Sequence, residues 1–101
     1  MKRLPEITIN PFQLAVLLDE TERNFYSVVI EKYVYCSHCR GVAIEGVDVE
    51  EMYLTDLNDI RVVGRCRKCG GEVARLLEFG GKKEFDEKAC RLRESIKTIT
   101  S

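Results

Sequence analysis

Tyr35-Cys36-Ser37-His38-Cys39-Arg40-Gly41 and, thirty residues further on, Arg65-Cys66-Arg67-Lys68-Cys69-Gly70-Gly71 are the stretches whose reading decides this chain. Each is C-x-x-C with a glycine two places after the second cysteine, and each lies between β-like runs. Two residues between the cysteines let one tight turn present both thiolates to a single ion, with backbone N–H groups of the turn pointing at the sulfurs. Glycine relieves the reversal because it lacks the Cβ that forbids positive φ. Two such turns brought together make a closed tetrahedral S₄ site, which suits Zn²⁺. Cys36, Cys39, Cys66 and Cys69 are therefore the predicted ligands of one structural zinc ion per chain.

This arrangement resembles the zinc-ribbon family, in which two zinc knuckles at the tips of β-hairpins share one ion. The resemblance covers residues 33–79 and carries over to Cys36, Cys39, Cys66 and Cys69. Neither knuckle has the proline often found in that family, and Arg40 stands where glycine is usual. Sequence outside 33–79 makes this an elaborated ribbon. The resemblance implies a docking module for proteins or nucleic acids, often within transcription or translation machinery. Iron bound in the rubredoxin manner is an alternative with the same four thiolates, although the proline and aromatic residues of those knuckles are missing. Thioredoxin-like redox chemistry needs C-x-x-C at the start of a helix, whereas both pairs here run into glycine and β-like sequence. The repeat of J-domain chaperones is set aside because Ala43 and Val73 replace its last glycine.

Outward from the cysteines, Asn10–Pro11 predicts a helix start, with Asn as N-cap and Pro at the first helical position. A short helix is expected over about 11–19, with Phe12, Ala15 or Val16, and Leu18 sharing a face; whether it runs on through Glu22 is open. Phe25 to Cys36 reads as a strand, since Tyr26, Val28, Ile30 and Val34 fall on one parity. Gly41–Ile44 and Val47–Val49 flank Glu45–Gly46 as a hairpin. Residues 50–59 admit two readings: a short helix capped by Asp48 and Glu51, or a strand through Met52-Tyr53-Leu54 ending in a Thr55–Asp59 turn. Ile60–Val63 and Glu72–Phe79 are strands entering and leaving the second pair. Phe85, Ala89, Leu92, Ile96 and Ile99 then recur at steps of four and three, an amphipathic C-terminal helix. Its stripe either packs on the sheet or forms a dimer seam, for which two heptads are short. Cys90, at the stripe's margin, is expected to be a semi-buried small apolar residue; an intermolecular disulfide is the alternative. The predicted fold is one α+β domain over 1–101. It has an N-terminal helix and strand (1–32), an antiparallel zinc-ribbon-like core (33–79) and a C-terminal helix (82–101).

Composition bounds the function. The 101 residues carry 45% hydrophobic and 33% charged side chains and a formal net charge of −1. With a pI near 5.9, the chain lacks the basic balance of a domain that grips nucleic acid over a broad face. The charges nevertheless segregate. Residues 45–59 hold Glu45, Asp48, Glu50, Glu51, Asp56 and Asp59 without a cation, and residues 61–71 hold Arg61, Arg65, Arg67 and Lys68 without an acid. Lys2 and Arg3 do not introduce a signal peptide, because Glu6, Asn10 and Pro11 interrupt the apolar stretch that would have to follow. No run reaches the roughly 18 apolar residues of a membrane span. A cytoplasmic setting is expected, and there spaced cysteines serve as metal ligands or redox centres rather than disulfides.

Catalysis is not expected. Four cysteines leave no open position on a metal, and His38, the single histidine, sits inside a knuckle turn without a spare nucleophile beside it. Gly70–Gly71 and Gly80–Gly81 fit a knuckle and a turn rather than a phosphate loop, and Glu50–Glu51 and Asp56–Asp59 read as a solvated face. The expected role is a protein-interaction or adaptor module, or self-association, with no membrane and no small-molecule substrate. The alternative is nucleic-acid binding through Arg40, Arg61, Arg65, Arg67, Lys68 and Arg75, with Tyr33 or Tyr35 as a stacking surface. Those cations have a second reading, since they can offset the two negative charges of a Zn(Cys)₄ centre. Thiol redox or metal handling is a further alternative.

Overall fold

A computed structural model of the chain describes residues 6–100, with side chains through residue 96. Asn10 caps α1 (Pro11–Leu17) through a reciprocal capping box, its Oδ1 accepting from the Gln13 N–H and its own N–H donating to Gln13 Oε1, both at 2.8 Å. Leu14, Leu17 and Leu18 face the core, while Phe12 and Val16 face solvent. The expected face is thus corrected: the buried face belongs to the leucines. Asp19 ends the run and starts α2 (Glu20–Lys32) with a second capping box, to Glu22.

That helix overturns the strand expected over Phe25–Cys36 except at its end, where Tyr35–Cys36 is a strand. Tyr26, Val29 and Ile30 recur at helical spacing on its inner side, and Val28 is left exposed. The alternating residues satisfied both periods, and the Asp19–Glu22 cap with its satisfied N–H groups favours the helical one. The strand of this region lies earlier, at β1 (Ile7–Ile9).

Two short strands, β2 (Tyr35–Cys36) and β3 (Gly41–Val42), make a small sheet around the first knuckle. β4 (Val47–Leu54), β5 (Ile60–Cys66) and β6 (Glu72–Leu77) complete a four-stranded antiparallel sheet in the order β1-β4-β5-β6. The hairpin expected across Glu45–Gly46 is therefore corrected. A turn is present there, with Gly46 N–H donating to Ala43 C=O at 3.0 Å, but Gly41–Val42 pairs back onto Tyr35–Cys36 while Val47 pairs with Cys66. The turn joins two sheets. Residues 50–59 take the strand reading: β4 runs to Leu54, and Thr55 N–H donates to Asp59 C=O at 2.8 Å to close the loop.

One face of the large sheet is buried. Val47, Met52, Leu54, Ile60, Val62, Val73 and Leu77 join Leu14, Leu17, Val29 and Ile30 in a common core. Gly64 belongs to this sheet for a steric reason: a Cβ there would lie 2.2 Å from the Asp48 carbonyl oxygen, next to the β-bulge between Val49 and Glu51. α3 (Lys83–Thr100) brings Phe85 and Ala89 into the core, with the Phe85 ring 5.4 Å from that of Phe79. Leu92 and Ile96 are half-buried, and the Ile99 side chain lies outside the described residues. Cys90 is exposed rather than semi-buried, a correction that follows from its position one residue, about 100°, past the fully buried Ala89. The fold is α+β, with an antiparallel sheet and a C-terminal helix.

Candidate metal centre

The two knuckles are built differently but end at one point. The second is the tip of the β5–β6 hairpin, closed by Cys66 N–H to Gly71 C=O at 2.9 Å and Gly70 N–H to Cys66 C=O at 2.8 Å. The first joins β2 to β3, and Cys36 lies opposite Gly41. Sulfurs of Cys36, Cys39, Cys66 and Cys69 all lie within 4.8 Å of one another, with Cys36 and Cys69 at 3.5 Å and Cys39 and Cys66 at 3.8 Å. A tetrahedral ion with Zn–S bonds of about 2.3 Å separates its sulfurs by roughly 3.8 Å. The donor set therefore fits one metal ion bound by four thiolates. All four cysteines are free rather than bridged. The leading cysteine of each pair, Cys36 and Cys66, is buried, whereas Cys69 is exposed.

The electrostatics of the cage follow from its amides. The backbone N–H of Cys69, then that of Lys68, stabilises the Cys66 thiolate and lowers its pKa to about 7. Cys39 is pushed up to about 12, first by its contact with Cys69 and then by burial. At Cys69 the Gly71 N–H, 3.4 Å from the sulfur, favours the thiolate, yet sharing with Cys36 and burial leave the thiol raised. Amides of the second turn thus point at the sulfurs, as the spacing requires.

The left-handed position falls at the same place in both turns, directly after the second cysteine. It is Gly70 at φ +74° in one and Arg40 at φ +58° in the other. His38 packs across the gap: a Cβ on Gly71 would lie 2.2 Å from its Cδ2. The histidine thus bridges the knuckles by contact, a role that its position inside the turn did not signal.

The six cations expected at a nucleic-acid surface are not brought together. Arg65 pairs with Glu50 at 3.3 Å, Arg67 with Asp48 at 2.8 Å and Arg61 with Glu6 at 2.5 Å, the last also lying 4.3 Å over the Tyr53 ring. Arg61 and Arg65 share the outer face of β5, whereas Arg75 lies opposite Val62, whose side chain is in the core. Arg40 and Lys68 are exposed on separate knuckles. The segregated charges of the sequence are therefore a register effect, since acidic β4 lies antiparallel to basic β5. No helix among the described residues is long and apolar enough to cross a membrane. No family model, curated protein or solved structure matches this chain.

Proposed function

We propose that this chain is a non-enzymatic zinc-binding module, in which one Zn²⁺ held by Cys36, Cys39, Cys66 and Cys69 supports a protein-interaction surface. The observation that carries the reading is the convergence of four sulfurs, from turns thirty residues apart, at tetrahedral spacing. Four thiolates fill a zinc coordination sphere, which suits a structural ion rather than a catalytic one. Placement of both pairs at hairpin tips, away from helix N-termini, speaks for the zinc-ribbon likeness and against a thioredoxin-like thiol pair.

Nucleic-acid binding is the second reading, favoured by the exposed aromatic residues Tyr33 and Tyr35 beside the Arg40 knuckle. It is the weaker one, because Arg61, Arg65 and Arg67 already hold acidic partners. Elemental analysis with native mass measurement tests the metal. One zinc per chain is expected, and chelation should strip amide-exchange protection from residues 33–46 at least. Protein that folds fully with no bound metal would overturn the proposal.

A further inference from the structure

The register of the small sheet places Tyr35 and Val42 on one open face, and two further exposed apolar residues, Tyr33 and Ile44, flank them in the chain. Tyr35 lies opposite Val42, and the bond from Ala43 N–H to Val34 C=O at 2.7 Å carries the same register one residue further. Tyr33, the C-cap of α2, precedes this pairing, and Ile44 follows it in the turn closed by Gly46 N–H to Ala43 C=O. Side chains alternate along a strand and match across a pair, so Cys36 turns into the core, with Val34 and Ala43 buried beside it, while Tyr35 and Val42 turn out together. The exposures agree: Val34, Cys36 and Ala43 are at most 2% exposed, against 58% for Tyr33, 62% for Tyr35, 44% for Val42 and 80% for Ile44. Together the four residues expose surface on the order of 500 Å², within the roughly 300–600 Å² of the largest patch on a typical monomer, which is often functional.

The edge beside this patch is also open. The 34/43 pair is hydrogen-bonded, so the adjacent 35/42 pair is of the non-bonded kind, and the Val42 N–H and C=O point away from β2. Among the described residues the small sheet has two strands, so no further strand pairs with the outer side of β3. β3 thus offers a free strand edge next to an apolar face.

We propose that this edge and face dock an extended apolar segment of a partner protein, which adds as a third strand against β3. The inference rests on the interaction-module reading above and names the surface it would use. Three observations select this occupant. The patch falls short of the roughly 800 Å² per partner of a stable protein–protein interface, which disfavours a second folded copy and suits a short strand. Val42 and Ile44 are aliphatic and present no π-face for a stacked base. The flanking charges, Glu31, Lys32, Arg40 and Glu45, cancel, so recognition rests on backbone hydrogen bonds and apolar contact, the two components of strand addition.

Short random peptides displayed on phage and selected on the immobilised zinc-loaded chain test the proposal. Selected peptides should alternate apolar and polar residues, bind with little salt dependence and slow amide exchange at Val42. Tyr35→Ser and Ile44→Ser should each weaken binding about tenfold or more while zinc content and thermal stability hold. N-methylation of alternate peptide amides should abolish binding in one register only. Failure to select any peptide, or binding indifferent to both substitutions, overturns the docking site. So does a steeply salt-dependent oligothymidylate complex that Tyr35→Ser removes, or a dimer in sedimentation that Ile44→Ser dissolves. Peptide binding by a chain that holds no zinc would instead sink the metal reading and leave the docking site standing.

Discussion

The first knuckle stands on two strands of two residues each, in a sheet of their own, whereas the second closes a hairpin of seven- and six-residue strands within the four-stranded sheet. Cross-strand bonds along β5 and β6 define the second turn whether or not an ion is present. A two-stranded hairpin is marginal by itself in water, and around the first turn Val34, Cys36 and Ala43 reach into the core with Cys39 packed against it. An ion held by the four cysteines would do unequal service, since it would anchor a short hairpin to a sheet that is already built. The same asymmetry runs through the chemistry. The second knuckle holds the one acidified sulfur, Cys66, beside the raised Cys69, and a glycine at positive φ, while the first holds the raised Cys39 and a non-glycine there.

The largest effect should come from removing a ligand. Structural zinc contributes about 10–16 kcal/mol of apparent binding free energy in small peptides, against a net domain stability of about 5–15 kcal/mol. Cys36→Ser and Cys66→Ser are expected to lose stoichiometric zinc and most cooperative unfolding by calorimetry, and the exposed Cys69→Ser should lose less. Unchanged metal content and Tm in Cys66→Ser would remove the site. Acidity comes next. The Cys39 proton, held up to about 12 in the metal-free protein, is expelled on binding. Zinc affinity should therefore fall as pH falls, by about tenfold per pH unit for each proton released. A competition titration against a chromophoric chelator across neutral pH reads this directly, and a flat profile would contradict it.

The left-handed positions supply a pair of opposite signs. A left-handed backbone costs a side-chain-bearing residue roughly 1–2 kcal/mol. Arg40→Gly should then stabilise and Gly70→Ala destabilise the zinc-loaded protein, each by about 1 kcal/mol in urea unfolding. Equal signs would mean that the turns do not share this geometry. The smallest effect is expected at Asp48→Ala. Its ion pair with Arg67 is exposed on both sides, and such pairs contribute about 0–1 kcal/mol, less in salt. A small loss is expected because the Arg67 N–H bond to Gly46 C=O persists in that variant, and a larger one that survives high salt would show that Asp48 does more than form an exposed ion pair.

The pairing of cysteines into two turns, the strands that flank the second pair and the amphipathic C-terminal helix were legible in the residues, because each rests on local spacing. C-x-x-C matches one turn, and a four-and-three apolar step matches one helix face. Sequence reading failed where two local patterns fitted the same residues. Tyr26, Val28 and Ile30 alternate like a strand and also sit within a helix; the Asp19–Glu22 cap and the inward turn of Val29 selected the helix. Phe12 and Val16 formed one candidate face of α1, and the leucines took the core instead.

Sequence alone thus determined that four sulfurs come in two matched turns and that the chain carries separated blocks of acid and base. Tertiary structure decided what those features meet. The antiparallel register brought Glu50 of β4 to Arg65 of β5 and Asp48 to Arg67 just beyond it, and turned Tyr35 and Val42 outward on the face opposite Cys36. Which partner lies across from a residue depends on non-local pairing, and a one-residue slip in that pairing would reverse every face.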